Sequence, residues 1–143
     1  MLEKPKADNF AEIQGLLAAC QLPYLDLTPQ HLEHFLSCKT DHGIAGVVGL
    51  EIDGEVALLR SLAVAPGFRG QGMGNQLVKE IEAYAGARGV REVYLLTTTA
   101  ADYFAGCSYR KIERSKTPAE IQATEQFASI CPDSAVCMCK VIG

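Results

Sequence analysis

The run Leu59-Arg60-Ser61-Leu62-Ala63-Val64-Ala65-Pro66-Gly67-Phe68-Arg69-Gly70-Gln71-Gly72-Met73-Gly74 constrains the fold more than any other stretch of the chain. It joins an apolar strand to an amphipathic helix through a turn rich in glycine. Gly70, Gly72 and Gly74 admit backbone conformations closed to residues with a Cβ, and they let a ligand approach the main chain with the N–H groups turned outward. The helix that follows brings its positive N-terminal end, so an anion placed there meets unsatisfied amides and a favourable dipole at one spot. Arg69 adds a fixed positive charge at the rim. The turn therefore reads as a phosphate cradle.

Leu77, Val78, Ile81, Tyr84 and Ala85 recur at helical spacing, Lys79, Glu80, Glu82 and Arg88 fall elsewhere, and Gly89 is placed to end the helix. Val93-Tyr94-Leu95-Leu96 is a short apolar run, as expected of a strand covered on both faces. Strand, helix and strand make a parallel crossover unit. Ahead of it, Asp8 or Asn9 can cap a first helix containing Ile13, Leu16 and Leu17, and Thr28-Pro29 opens a second with Leu32, Phe35 and Leu36 on one face. Residues 43–50 and 55–64 are apolar runs around Asp53-Gly54, a hairpin signal. Near the end, Thr117-Pro118-Ala119-Glu120 has the form of a capping box with proline at the first helical position, and residues 134–142 read as a final strand.

Composition narrows the function classes. At 143 residues, with 48% hydrophobic and 21% charged residues, the chain is expected to form one domain over 1–143 with a core of its own. Met1-Leu2-Glu3-Lys4-Pro5-Lys6 lacks a signal-peptide apolar core and no later stretch reaches membrane-spanning length, so a cytoplasmic protein with no membrane partner is expected. A net charge of −4 gives no basic footprint for nucleic acid. The six cysteines contain no C-x-x-C pair; Cys137 and Cys139 lie two apart in a strand, with Met138 pointing the other way. They read as small buried hydrophobes, and His31, His34 and His42 as surface or packing residues, so no metal site is expected. The oligomeric state stays open, a homodimer included.

Spacing decides which phosphate ligand the cradle suits. A Walker loop needs Lys-Ser/Thr after its last glycine, and Asn75-Gln76 stand there; a dinucleotide fingerprint starting at Gly70 needs a third glycine where Asn75 stands. What fits is Arg/Gln-x-x-Gly-x-Gly/Ala, read as Arg69, Gly72 and Gly74 after the strand Leu62-Ala63-Val64. This resembles the acyl-CoA motif of the GNAT acetyltransferases, and the order of elements extends the resemblance over nearly the whole chain. Within that superfamily, Leu62-Ala63-Val64-Ala65-Pro66, Leu95-Leu96-Thr97-Thr98-Thr99 and Cys131-Pro132-Asp133-Ser134-Ala135-Val136 are similar to a bacterial subgroup named as arsenic-resistance N-acetyltransferases.

The resemblance implies an α+β (mixed α/β) fold of the GNAT acyl-CoA N-acyltransferase type: a central mixed sheet with splayed parallel strands, flanked by helices. It implies acetyl-CoA as co-substrate, held by Phe68, Arg69, Gly70, Gln71, Gly72, Met73 and Gly74 at the pyrophosphate and by Thr97 and Phe104 beyond. Main-chain groups of Leu62, Ala63 and Val64, on a bulged strand, are expected to meet the thioester oxygen. The leaving thiolate in such enzymes usually takes a proton from a tyrosine, but Phe104 stands at that position here. Tyr103 is adjacent, about 100° round a helix. A thiolate with a pKa near 8.5 can also leave with water as the proton source.

The position that often carries a glutamate base holds Arg60. Two readings of Arg60 stand: with Ser61 it binds an anionic group of a small acceptor through its guanidinium fork, or it pairs structurally with Glu51, Asp53 or Glu55. Glu51 is the carboxylate candidate for a base acting through water. The leading function is acetyl transfer to the amine of a small, anionic, amino-acid-like acceptor. Peptide acetylation, and non-catalytic binding of acyl-CoA or of a metalloid through thiols, are the alternatives.

Overall fold

The computed structural model describes residues 2–130 and 134–143. Cys131, Pro132 and Asp133, part of the resemblance in the tail, lie outside the described residues. A seven-stranded mixed sheet forms the centre, built from β1 (Leu2–Glu3), β2 (Phe35–Thr40), β3 (Gly43–Asp53), β4 (Val56–Val64), β5 (Glu92–Thr97), β6 (Arg110–Lys111) and β7 (Val136–Val141) in the spatial order β1-β2-β3-β4-β5-β7-β6. Every pairing is antiparallel except that of β4 with β5. The helices are α1 (Phe10–Ala19), α2 (Met73–Ala87), α3 (Ala101–Gly106) and α4 (Ala119–Gln122). The hairpin turns at Gly54, whose φ of 62° suits glycine.

One core lies under α2, where Leu77, Val78, Ile81 and Ala85 pack on Val48, Leu50, Ala57, Leu59, Val93 and Leu95. These are the helical positions that periodicity selects, and the 3.6-residue repeat places them on one face. The opposite face of the sheet is covered in two parts. Ile13 and Leu17 of α1 pack there with Leu32, Phe35, Val47 and Ala63, while Ile121 of α4 packs on Leu58, Tyr94 and Cys139. Met138 lies in the α2 core and Cys139 in the α4 cluster, as strand alternation requires.

Three local expectations fail. Asn9 stands at the N-cap of α1, but its side chain does not cap the helix, because Oδ1 accepts the Lys6 amide at 2.9 Å. The second helix is only a 3-10 segment, Pro29–His34, and Phe35 and Leu36 belong to β2. Pairing decides this: Phe35 and Leu36 sit opposite Gly49 and Val48 of β3, so sheet hydrogen bonds and burial of the Phe35 ring override the local helical spacing. The proposed capping box at Thr117 also does not form. Thr117 Oγ1 donates to the Arg114 carbonyl at 2.6 Å instead of accepting from the helix, and α4 is a single turn.

Candidate active site

The parallel ladder between β4 and β5 is short. Val56, Ala57 and Leu58 pair with Glu92, Val93 and Tyr94, and beyond Leu58 the strands part, although β5 remains paired with β7 as far as Thr97 opposite Val136. Main-chain groups that β4 would turn towards β5 face a cleft instead. It has a volume of about 770 Å³ and is bordered by Leu59 to Val64 on one side and Leu95 to Ala100 on the other. A bulge in β4 sharpens the divergence. Val47 sits opposite Ala63 and Gly49 opposite Arg60, so Ser61 and Leu62 share a single opposing residue, and Ser61 takes a φ of 62°. A left-handed backbone on a residue with a Cβ is strained, and the bulge is what holds it there.

The glycine turn closes the open end of this cleft. Gly70 and Gly72 have φ values of 78° and 82°, and a Cβ built on either would meet open space. The left-handed Gly72 is the N-cap of α2, whose first helical bond runs from the Gln76 amide to the Gly72 carbonyl at 3.1 Å. The amides of Met73, Gly74 and Asn75 thus have no intrahelical acceptor and carry the positive end of a fifteen-residue helix. Arg69 folds back along the turn. Its Nε donates to the Val64 carbonyl at 2.9 Å and its Nη2 reaches the Cys20 sulfur at 3.4 Å, which ties the cradle to the end of α1.

Phe68, Arg69, Gly70, Gly72, Met73, Gly74, Leu62, Ala63, Val64, Thr97 and Phe104 all border the cleft, whereas Gln71 does not. Thr97 Oγ1 accepts the Ala100 amide at 2.9 Å and so shapes the turn into α3. Phe104 is buried edge-on between Tyr103 and Tyr109. Tyr103 leans across to α2, where its hydroxyl donates to Asn75 Oδ1 at 2.8 Å, and a Cβ on Gly74 would lie 3.2 Å from the Tyr103 hydroxyl oxygen. Burial, with Cys107 beside it, pushes the Tyr103 phenol above its ordinary pKa.

At the other end Arg60 is buried, with four of its five N–H donors engaged. Nη1 and Nη2 donate to the two carboxylate oxygens of Asp26 at 2.6 and 2.9 Å, Nη1 also to Glu51 Oε2 at 2.8 Å, and Nε to Ser61 Oγ at 3.0 Å. Burial opposes the Arg60 charge, but the bonds from Asp26 and Glu51 outweigh it and hold its pKa above the usual arginine value. Burial likewise pushes the Asp26 carboxyl up, and Arg60 more than cancels this, leaving it below the usual aspartate value. Arg60 and Ser61 border the cleft; Glu51 does not.

Sequence reasoning gives no site role to Asp26, Cys20, Leu22, Pro23, Asn75 or Gln126, which also border or support the cleft. Asn75 adjoins the motif and was within reach of it; the others come from distant segments with no local signal. Among the described residues no group of three or more His, Cys, Asp or Glu side chains could hold a metal ion. Burial pushes the Cys137 thiol up to about 11, which makes it a poor ligand or nucleophile. No helix among the described residues is long and apolar enough to cross a membrane.

Residues 6–109 match the family model described as the acetyltransferase (GNAT) family. An uncharacterized N-acetyltransferase of Chlorobaculum tepidum is 35% identical over 83 residues, which are 58% of this chain and 51% of that protein; the match spans about half the relative's length. N-acetylglutamate synthase from Neisseria gonorrhoeae, solved with coenzyme A and N-acetyl-glutamate, superposes with a TM-score of 0.86 at 16% identity, over 100% of this chain and 35% of that one. An acetyltransferase of the GNAT family from Staphylococcus aureus superposes with a TM-score of 0.77 at 17% identity, over 100% and 99% of the two chains.

Proposed function

The chain belongs to the acetyltransferase (GNAT) family, and from that premise we propose that it binds acetyl-CoA in the cleft between β4 and β5 and transfers the acetyl group to the amine of a small, anionic, amino-acid-like acceptor. The observation that carries this reading is the coincidence of two features. The β4–β5 ladder stops at Leu58 and Tyr94, and the unsatisfied amides of the α2 N-terminus lie at the mouth of the gap so opened. A diphosphate suits the amides, and a narrow pantetheine arm suits the gap.

In this reading the thioester carbonyl turns its oxygen to main-chain N–H groups of Leu62 to Val64, and the acceptor amine attacks its carbon. The negative charge that develops on oxygen is met by donors already in place. Collapse of the tetrahedral intermediate expels the coenzyme A thiolate and leaves an amide. The proton lost by the amine passes to water, with Glu51 as the carboxylate behind it; Arg60 and Ser61 wall the acceptor end. An α-amino group with a pKa near 8 suits a site without a strong base better than a lysine ε-amine near 10.4. That a protein of this fold is solved with coenzyme A and N-acetyl-glutamate supports an acidic amino acid as the acceptor. The resemblance to the arsenic-resistance subgroup and a cytoplasmic setting belong to the same proposal and rest on the sequence.

The test is to incubate the protein with acetyl-CoA and a panel of acidic amino acids, neutral amines and lysine peptides, following free thiol. Release of coenzyme A dependent on an acidic amino acid is expected. Preference for lysine peptides would replace the acceptor class, and coenzyme A binding without release for any amine would leave a binding protein.

A further inference from the structure

We propose that Gln126 is an acceptor-binding residue, its side-chain amide donating to the carboxylate of an amino-acid-like acceptor; this rests on the acetyl-transfer reading above. Gln126 is 4% exposed and borders the same cleft as the glycine cradle. Its amide has no hydrogen-bond partner among the described residues. Nor is it a sealed defect, because neither amide atom counts among the fully enclosed polar atoms that lack a partner. Buried polar side chains are almost always paired. One that is held in place, unpaired, and open only to a cleft has its partner supplied by what enters the cleft.

The segment that carries Gln126 is fixed at the point where the two strands part. Ile121 is buried against Leu58 and Tyr94, the last paired residues of β4 and β5, and Phe127 packs on the same cluster. Between them, Thr124 Oγ1 donates to the Ile121 carbonyl at 2.8 Å and accepts the Phe127 amide at 3.3 Å. Gln126 is thus presented from a braced turn.

Its chemistry complements what the acceptor end lacks. Arg60 looks like the natural receptor for an anion, but four of its five N–H donors already serve Asp26, Glu51 and Ser61, and with two carboxylates around one guanidinium that set carries a net charge of −1. An incoming carboxylate finds no open fork there. The Gln126 amide offers uncommitted N–H donors without a charge, and its oxygen can accept from an ammonium or amine on the same molecule. A group that is both donor and acceptor suits an acceptor that carries both a carboxylate and an amine.

The experiment measures kcat and KM for Gln126→Leu and Gln126→Glu against acceptors with and without the carboxylate, for example an acidic amino acid and its decarboxylated amine. Gln126→Leu is expected to raise KM for carboxylate acceptors by about tenfold, the worth of one hydrogen bond of moderate strength. Gln126→Glu, nearly isosteric and able to stand in if the leucine variant fails to fold, raises it further by like-charge repulsion. KM for acetyl-CoA and for the decarboxylated amine stays at the parent value in both. Equal changes for the two acceptors, a matching change in KM for acetyl-CoA, or no change would overturn the assignment while leaving acetyl transfer intact. If the parent acetylates no amine in the panel, both readings fall.

Discussion

At one end of the cleft, the turn from Gly70 to Asn75 offers main-chain groups from one continuous stretch, whereas at the proposed acceptor end the buried Arg60 is held by Asp26 and Glu51 from separate parts of the chain, and Gln126 borders the cleft from another. The cradle depends on backbone conformation, so what it requires is the absence of side chains. The acceptor end depends on charges and amides held by the packing of α1, β3, β4 and the α4 segment. Substitutions should therefore act differently at the two ends: by filling space at the first, and by stranding partners at the second.

The largest effect is expected from Asp26→Ala. Removing one partner of a buried ion pair leaves the other charge uncompensated, at a cost of about 3–5 kcal/mol. Glu51 still touches Arg60, so the lower part of that range is expected, read as a fall in unfolding free energy by denaturant titration. The pH dependence has a definite sign. The folded carboxyl of Asp26 is held below its ordinary value, so its contribution is present above the unfolded value of about 3.9 and is lost as pH falls through the lower folded value. The parent should lose stability on acidification below about pH 4 more steeply than Asp26→Ala. Parallel curves would mean that the pair does not stabilise the fold.

Gly72→Val tests the other end. The position has a φ of 82° and open space where a Cβ would stand, so valine would push its methyls into the cleft and would adopt a left-handed backbone unsuited to a β-branched residue. The expected result is a loss in coenzyme A affinity of about a hundredfold or more by calorimetry, with about 1–2 kcal/mol lost in stability. Unchanged affinity in a folded variant would sink the assignment of the cradle.

The same contrast governs what the sequence discloses. The cradle, α2 and the hairpin turn are written in consecutive residues, because positive φ at Gly54, Gly70 and Gly72 and the 3.6-residue spacing of Leu77, Val78 and Ile81 are local requirements. Glu51 could be named as a partner of Arg60, since a hairpin through Asp53-Gly54 brings the two strands together. Asp26 could not, for nothing near it fixes where the segment after α1 returns to the sheet. Gln126 is equally silent in sequence, and only the packing of Ile121 and Phe127 turns it to the cleft. Phe35 and Leu36 mislead for a related reason: their spacing suits a helix, but pairing with β3 lies outside any local window.

The smallest effect is expected at Tyr103, which borders the cleft beside Asn75 and has no hydrogen bond to the cradle's main-chain amides or to the Arg60 cluster. Its hydroxyl donates to Asn75 Oδ1, so it is engaged in bridging α3 to α2. Burial and Cys107 push its pKa above the ordinary phenol value of about 10, while a leaving thiol has a pKa of about 8.5. Proton transfer from the phenol to the thiolate is then uphill, and the thiolate is stable enough to depart as such. Tyr103→Phe is accordingly expected to keep kcat within about tenfold of the parent, where a general acid contributes about a hundredfold or more. Steady-state kinetics with coenzyme A affinity measured alongside decides the matter. A loss beyond a hundredfold at unchanged affinity would make Tyr103 the proton donor, and the cradle end of the cleft would then owe its chemistry to a side chain as well as to its main chain.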